Sequence, residues 1–219
     1  MPTANEHGSL VSGDFATGHI DKGDIDTFTF DAAVGEGILL RAVDINETTF
    51  YPQILLYAPD GQYIKYAQNP TVAYTSYTAT QAGTYTVVVL DVSSGFTSTG
   101  DYQLQFAHMP SANELGYISN GSSKTSSIGL GDIDSYKIVA GSNQQIALSF
   151  NDLSQSSLYL QVLLYGPDGN YITYAQSGTS GTLYHTTLVT GSYTAVVLDV
   201  SSGFTSTGNY KLSYDIILN

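Results

Sequence analysis

The sequence predicts an all-β protein made of two tandem antiparallel β-sandwich domains, and three observations predict it. Nearly every feature occurs twice at a constant offset of 108 residues, apolar and polar residues alternate along short segments, and Gly-bearing turns separate those segments. The run Leu90-Asp-Val-Ser-Ser-Gly-Phe-Thr-Ser-Thr-Gly100 recurs letter for letter as Leu198 to Gly208. Leu55-Leu-Tyr-Ala-Pro-Asp-Gly61 returns as Leu163-Leu-Tyr-Gly-Pro-Asp-Gly169, and Gly23-Asp-Ile-Asp26 as Gly131-Asp-Ile-Asp134. The register never slips. Such a period far exceeds the roughly 20–50 residues of a solenoid repeat and has the size of a domain. Residues 1–108 and 109–219 are therefore read as two copies of one module.

Each copy reads as β throughout. Phe28 and Phe30 alternate with Thr27 and Thr29, while Ile38, Leu40 and Ala42 alternate with Leu39, Arg41 and Val43. In the second copy Ile146, Leu148 and Phe150 alternate with Ala147 and Ser149. Period-two alternation marks half-buried strands. Pro59-Asp60-Gly61 and Pro167-Asp168-Gly169 predict hairpin turns, flanked in the first copy by strands over 54–57 and 62–66. Proline presets φ, the Asp carboxylate caps the turn, and glycine takes the left-handed position. Tyr85, Val87 and Val89, then Tyr102, Leu104 and Phe106, continue the alternation, matched by Tyr193, Ala195, Val197 and Tyr210, Leu212, Tyr214. Tyr85, Tyr102, Tyr193 and Tyr210 fall on the apolar faces and are predicted core residues. No segment carries a helical period, and short strands with frequent turns argue for antiparallel sandwiches. The join at His108-Met109-Pro110-Ser111 is short and not flexible in composition.

Composition narrows the function. Only 11% of residues are charged, against a usual share of about 25%, so hydroxyls and amides solvate the surface, in the style of extracellular proteins. Six bases against 19 acids give a net charge of −13. Nucleic acid is excluded as a partner because its binding needs clustered Lys and Arg to displace counterions. Cations are the natural small partners of such a field. The absence of cysteine excludes disulfides, thiolate metal sites and cysteine nucleophiles. No apolar run approaches the ~20 residues of a membrane span. Met1-Pro2 has a repeat counterpart in Met109-Pro110, which leaves open whether Met1 is an initiator or a repeat residue of a longer array.

An enzyme is not expected. His7, His19, His108 and His185 stand opposite Leu115, Ser127, Ile216 and Tyr77 in the other copy. None belongs to the shared framework, as a histidine in a Ser/His/Asp arrangement would require. They are read as scattered surface or loop histidines. The repeated acids Asp60/Asp168 and Asp91/Asp199 sit in turn or strand-end contexts, and neither a phosphate loop nor a zinc helix motif is present.

Gly23-Asp-Ile-Asp-Thr-Phe-Thr-Phe30, Pro52-Gln-Ile-Leu-Leu-Tyr-Ala-Pro-Asp-Gly61, Gly83-Thr-Tyr-Thr-Val-Val-Val89 and Gly100-Asp-Tyr-Gln-Leu104 occur in order, each with a match in the second half. On these strings the chain resembles two bacterial pre-peptidase C-terminal (PPC) domains in tandem, similar to the collagen-binding domains of clostridial collagenases. The resemblance implies jelly-roll-like β-sandwiches that are secreted, non-catalytic accessory modules. It also implies a calcium site between an N-terminal acidic segment and the Asp-x-Asp ahead of the first aromatic strand. Here Asn5, Glu6, Asn113 and Glu114 hold the first place, and Asp24, Asp26, Asp132 and Asp134 the second. Calcium takes six to eight hard oxygens, and alternate residues of a strand share a face. The chain departs from the family pattern at Thr3 and Ser111, where Glu is usual, and at Ala4 and Ala112, where Pro is usual. The competing reading is that Gly-Asp-x-Asp shapes a strand start through carboxylate caps on backbone N–H groups.

Eighteen tyrosines and no tryptophan call for a separate account. Tyr63, Tyr66, Tyr171 and Tyr174 follow the Pro-Asp-Gly turns, where at least one of each pair is expected to reach solvent. Phe96 and Phe204 sit in the duplicated polar loop. Such rings serve either as contact surface or as cross-strand pairs within one sheet. Together these features predict a secreted bacterial protein, extracellular or on the cell surface, with a structural or adhesive role. Self-association into an oligomer or filament is the first expectation. A module attaching a secreted peptidase or glycosidase to extracellular protein or polysaccharide is the second.

Overall fold

The computed structural model describes residues 7–46, 49–154 and 157–217. The chain divides into two compact units, Met1–His108 and Met109–Asn219. In the first, β1 (Phe15–Ile20), β2 (Ile25–Ala32), β3 (Gly37–Asp44), β4 (Pro52–Tyr57), β5 (Tyr63–Gln68), β6 (Val72–Thr78), β7 (Gly83–Asp91) and β8 (Gly100–Met109) follow one another. They form two antiparallel four-stranded sheets, in the orders β2-β7-β4-β5 and β1-β8-β3-β6. The second unit runs β9 (Ser122–Ile128), β10 (Ile133–Ala140), β11 (Gln145–Asp152), β12 (Leu160–Tyr165), β13 (Tyr171–Ser177), β14 (Ser180–Thr186), β15 (Gly191–Asp199) and β16 (Gly208–Ile217). Its sheets, β10-β15-β12-β13 and β14-β11-β16-β9, repeat that topology strand for strand. One 3₁₀ turn, Ser202–Phe204, is the only helical element among the described residues.

In each unit the core lies between the two sheets. Phe28, Ile54 and Val87 meet Leu40, Leu104 and Phe106 in the first, and Tyr136, Val162 and Val197 meet Leu148, Leu212 and Tyr214 in the second. Each such side chain contributes about 1.5–3 kcal/mol on burial. The predicted core tyrosines are at most 1% exposed, and every phenol finds a partner, as a buried hydroxyl must. Tyr85 donates to Gln81 O at 2.7 Å and Tyr193 to Val189 O at 2.8 Å. Tyr102 and Tyr210 donate to Asp26 and Asp134.

The Pro-Asp-Gly turns close as their residues dictate. Gly61 N donates to Ala58 O at 2.8 Å, Gln62 N to the Asp60 carboxylate at 3.0 Å, and Gly61 has φ +78°. Gly169 and Asp168 repeat the arrangement. The hydrogen bond from the Gln62 amide holds the Asp60 carboxyl below its ordinary pKa.

Strand β3 departs from the predicted alternation, since all eight of its residues are buried. Arg41 is among them, with its guanidinium 5.0 Å from the centre of the Tyr74 ring. A guanidinium over an aromatic face keeps electrostatic compensation for its lost water. The equivalent β11 carries Ser149 there and retains a half-buried face.

The duplicated loop is a demanding backbone element. Asp91 accepts hydrogen bonds from the amides of Tyr51 (3.0 Å), Ser93 (2.9 Å) and Ser98 (3.1 Å) and from the Ser93 hydroxyl. Asp199 does the same with Tyr159, Ser201 and Ser206. Burial pushes the Asp91 carboxyl up, but the Ser93 hydroxyl and these amides more than offset it, leaving the pKa lowered. The loop then turns through two consecutive left-handed residues, Gly95 and Phe96 at φ +80° and +52°, and again Gly203 and Phe204.

Candidate cation centres and aromatic surface

In the second unit the start of β10 brings together three of the predicted ligands. One carboxylate oxygen each from Glu114, Asp132 and Asp134 lies within 4.8 Å of the others. Glu114 is exposed, Asp132 half-buried and Asp134 buried. Asp132 immediately precedes β10 and Asp134 is its second residue, and their carboxylates converge as the Asp-x-Asp spacing implied. Burial, then the neighbouring Asp132 charge, pushes the Asp134 carboxyl up to about 7, although Tyr210 and Ser126 donate hydrogen bonds to it. Tyr210 also meets Tyr136 (2.6 Å between hydroxyls), whose phenol burial pushes up to about 12. A divalent cation would relieve this crowding of charge, and the donors are the hard oxygens that calcium takes. Asn113, the remaining predicted ligand of this unit, is exposed.

The first unit is built differently at the same place. Asp26 is buried and receives the Tyr102 hydroxyl at 2.5 Å, while His7 Nε2 lies 2.9 Å from its other oxygen. The His7 ring stacks on Phe28 at 5.3 Å. Asp24 turns to its own strand start, accepting from Ile25 N at 2.9 Å. That is the capping geometry of the competing reading, and Asp132 makes the same bond to Ile133 N. Asn5 and Glu6 lie outside the described residues.

Three of the histidines have acidic partners, which the sequence reading did not anticipate. His7 pairs with Asp26, His19 with Asp101 at 2.6 Å, and His108 with Glu36 at 2.6 Å. All three belong to the first unit. The hydrogen bond to Asp101 raises the His19 pKa, whereas burial lowers that of His185 in the second unit. These pairings join residues up to 82 positions apart, so no local motif announces them.

Tyr63 and Tyr66 stand on β5, and Tyr171 and Tyr174 on β13, both edge strands of their sheets. The four are 52%, 56%, 47% and 51% exposed, so both members of each pair reach solvent. Each edge is braced alike. Tyr57 packs edge-on against Tyr63 at 5.9 Å and Tyr165 against Tyr171 at 5.8 Å. Gln53 and Gln68 join their amides across the strands, as do Gln161 and Gln176. Register shifts at Leu56/Tyr57 and Leu164/Tyr165 mark matching bulges, which re-aim side chains at sheet edges. Cross-strand pairing and solvent presentation therefore coexist at these tyrosines. Phe96 is 59% exposed on its braced loop, while Phe204 in the identical loop is half-buried.

No protein-family model matches the sequence, and no curated protein matches it. Among solved structures, the pre-peptidase C-terminal domain of collagenase from Bacillus anthracis is similar over 48% of this chain and 99% of its own, at 19% identity and a TM-score of 0.40. The periplasmic g-type lysozyme inhibitors PliG of Aeromonas hydrophila and Salmonella Typhimurium cover 47% each, at 13% and 16% identity and TM-scores of 0.36. They span 98% and 97% of their own chains. The strands themselves make the fold an antiparallel β-sandwich, present twice.

Proposed function

We propose that this protein is a secreted, non-catalytic adhesive module pair that attaches to extracellular protein or polysaccharide through two copies of one tyrosine-bearing edge. The observation that carries this reading is the duplicated presentation of Tyr63/Tyr66 and Tyr171/Tyr174, half-exposed and braced identically in both units. Tyrosine supplies rigid, amphipathic contact area at low entropic cost, and two linked copies raise avidity without any new contact. The low-charge, hydroxyl-rich surface supports an extracellular setting. Among the described residues no helix is long and apolar enough to cross a membrane. Retention of the purified chain on insoluble collagen or polysaccharide tests the reading. Loss of retention in the Tyr63→Ala/Tyr171→Ala variant is expected, and unchanged retention overturns it.

A second reading, self-association into an oligomer or filament, is favoured by β9. This strand closes one edge of its sheet, Ser122 to Thr125 are exposed, and Lys124 is its single charged residue. Lightly charged edges invite pairing with another copy. Light scattering that finds only a monomer with and without millimolar calcium would sink it. Calcium binding at Glu114, Asp132 and Asp134 accompanies either reading and stabilises the second unit; His7 stands against the equivalent carboxylate in the first.

A further inference from the structure

Apart from the tyrosine edges, the second unit carries a cleft of about 250 Å³ lined by Tyr117, Ile118, Ser119, Asn120, Val139 and Tyr214. We propose that this cleft binds one ring of a neutral sugar, making it a carbohydrate subsite separate from the repeated tyrosines. Tyr117 and Val139 are 58% and 55% exposed, whereas Ile118 and Tyr214 are at most 2% exposed. The cleft thus has an aromatic and an aliphatic group at its rim and a closed apolar floor. Its polar groups are an amide and hydroxyls, and no lining side chain is charged at neutral pH.

The amide is oriented for donation. Asn120 Oδ1 accepts from Ile216 N at 2.7 Å, and a backbone N–H can meet only the oxygen end of that side chain. Its two N–H donors are left without a partner among the described residues. The Tyr214 hydroxyl is spent on Val139 O at 2.7 Å, so Tyr214 contributes its ring alone. An aromatic ring, an amide with its donors open and a serine hydroxyl that has no partner among the described residues suit a pyranose, which offers a C–H face and a ring of hydroxyls that both donate and accept. With a net charge of −13, the whole-protein field repels uronates, sulfated sugars and other anions. A neutral ring is the occupant that fits both lining and field. The space is too small for a helix or a strand with its neighbours.

The cleft is also held rigid. Ile118 N donates to Lys137 O (2.9 Å) and Lys137 N to Gly116 O (3.0 Å), bridging this segment to β10. Gly121 N reaches Tyr214 O at 2.9 Å, and Ser122 N reaches Ser119 O at 3.0 Å. A preformed site loses little freedom on binding. In the first unit the six equivalent positions are Ser9, Leu10, Val11, Ser12, Asp31 and Phe106. There the rim tyrosine and the amide are missing and a carboxylate replaces Val139, so the subsite belongs to one unit only.

Calorimetric titration of the full chain with neutral gluco-, manno- and N-acetylglucosamine oligosaccharides tests the proposal. One site per chain is expected for at least one of these probes, weakened about tenfold in Tyr117→Ala by loss of the stacking face. Asn120→Asp keeps the acceptor for Ile216 N and removes the donors, and is expected to weaken binding comparably. Tyr117→Phe keeps the ring and stays within about threefold, a change small in free energy. Tyr63→Ala/Tyr171→Ala leaves sugar binding intact, which separates this proposal from the adhesive reading. Absence of binding by every probe, two equal sites per chain, or affinity unaltered in a folded Tyr117→Ala variant overturns it.

Discussion

His7 Nε2 lies 2.9 Å from Asp26 Oδ1, and the repeat-equivalent position of His7 in the second unit is Leu115. Among the described residues, Asp26 has a basic partner in one unit, while Asp134 in the other stands among further carboxylates. The two units are expected to respond differently to ions.

Calcium is expected to raise the unfolding temperature of the chain, and Asp132→Asn to abolish the increase, while Asp24→Asn leaves it in place. Scanning calorimetry with calcium and with a chelator checks this. The proton linkage has a definite sign. Asp134 has a folded pKa of about 7, above the ordinary 3.8, so the folded state holds this proton more tightly than the unfolded one. Without calcium, stability is expected to fall as pH rises from about 4 to 7 through this group, and calcium should flatten that fall.

Asp91→Ala is expected to cost roughly 1–3 kcal/mol, because it strands buried amide donors. Ser93 and Ser98 lose their acceptor together with Tyr51. The Asp91 pKa is lowered on folding, so its contribution is present above the ordinary carboxylate value and disappears as pH falls through the folded value. Urea titrations at neutral and acid pH check both statements, the mutational loss shrinking in acid.

Gly18→Ala is expected to destabilise by about 1–3 kcal/mol through overpacking. An added Cβ would land on the Tyr102 hydroxyl and within 2.6 Å of Asp26 Oδ2, prising apart a buried hydrogen bond. A Gly8→Ala control meets no atom within 4 Å, but its φ of +90° adds backbone strain. The two variants should therefore differ in the Tyr102–Asp26 environment, read by tyrosine near-ultraviolet dichroism.

His19 is expected to titrate above 6.5 and His185 below it, since a hydrogen bond to Asp101 favours the imidazolium in one and burial disfavours it in the other. Proton NMR titration of the imidazole resonances checks the order, and Asp101→Asn should bring His19 down. The stability that the His19 pair supplies is present below pH 6.5 and lost as pH rises through the raised value.

Much of the fold was legible because local chemistry determined it. The Pro-Asp-Gly turns, the alternating strands and the inward Tyr85, Tyr102, Tyr193 and Tyr210 all follow from residues within a few positions of one another. Arg41 defeated the alternation rule, because its place in a fully buried strand depends on what Tyr74 and its surroundings offer. The carboxylate cluster was partly legible, since Asp132 and Asp134 lie two residues apart at the start of β10 while Glu114 arrives from another segment. The histidine pairs were not, because each of these partners lies far away in the sequence. Neither was the cleft at Tyr117, whose residues break the repeat and so drop out of any reading that follows it.

The matching of β1–β8 by β9–β16 has a consequence for how the chain reaches its native state. The central strands β7 and β15 differ at only two of nine positions, Thr84/Ser192 and Val87/Ala195. During folding each can therefore dock beside the other copy's partners, and tandem repeats commonly misassemble in this way. The core supplies the discrimination. Val87 lies opposite Phe28, while the smaller Ala195 lies opposite Tyr136, the bulkier ring. An exchanged β7 would press two extra methyl groups toward Tyr136, and an exchanged β15 would leave a gap beside Phe28. That complementary pair of volumes lets near-identical strands find their own sandwich.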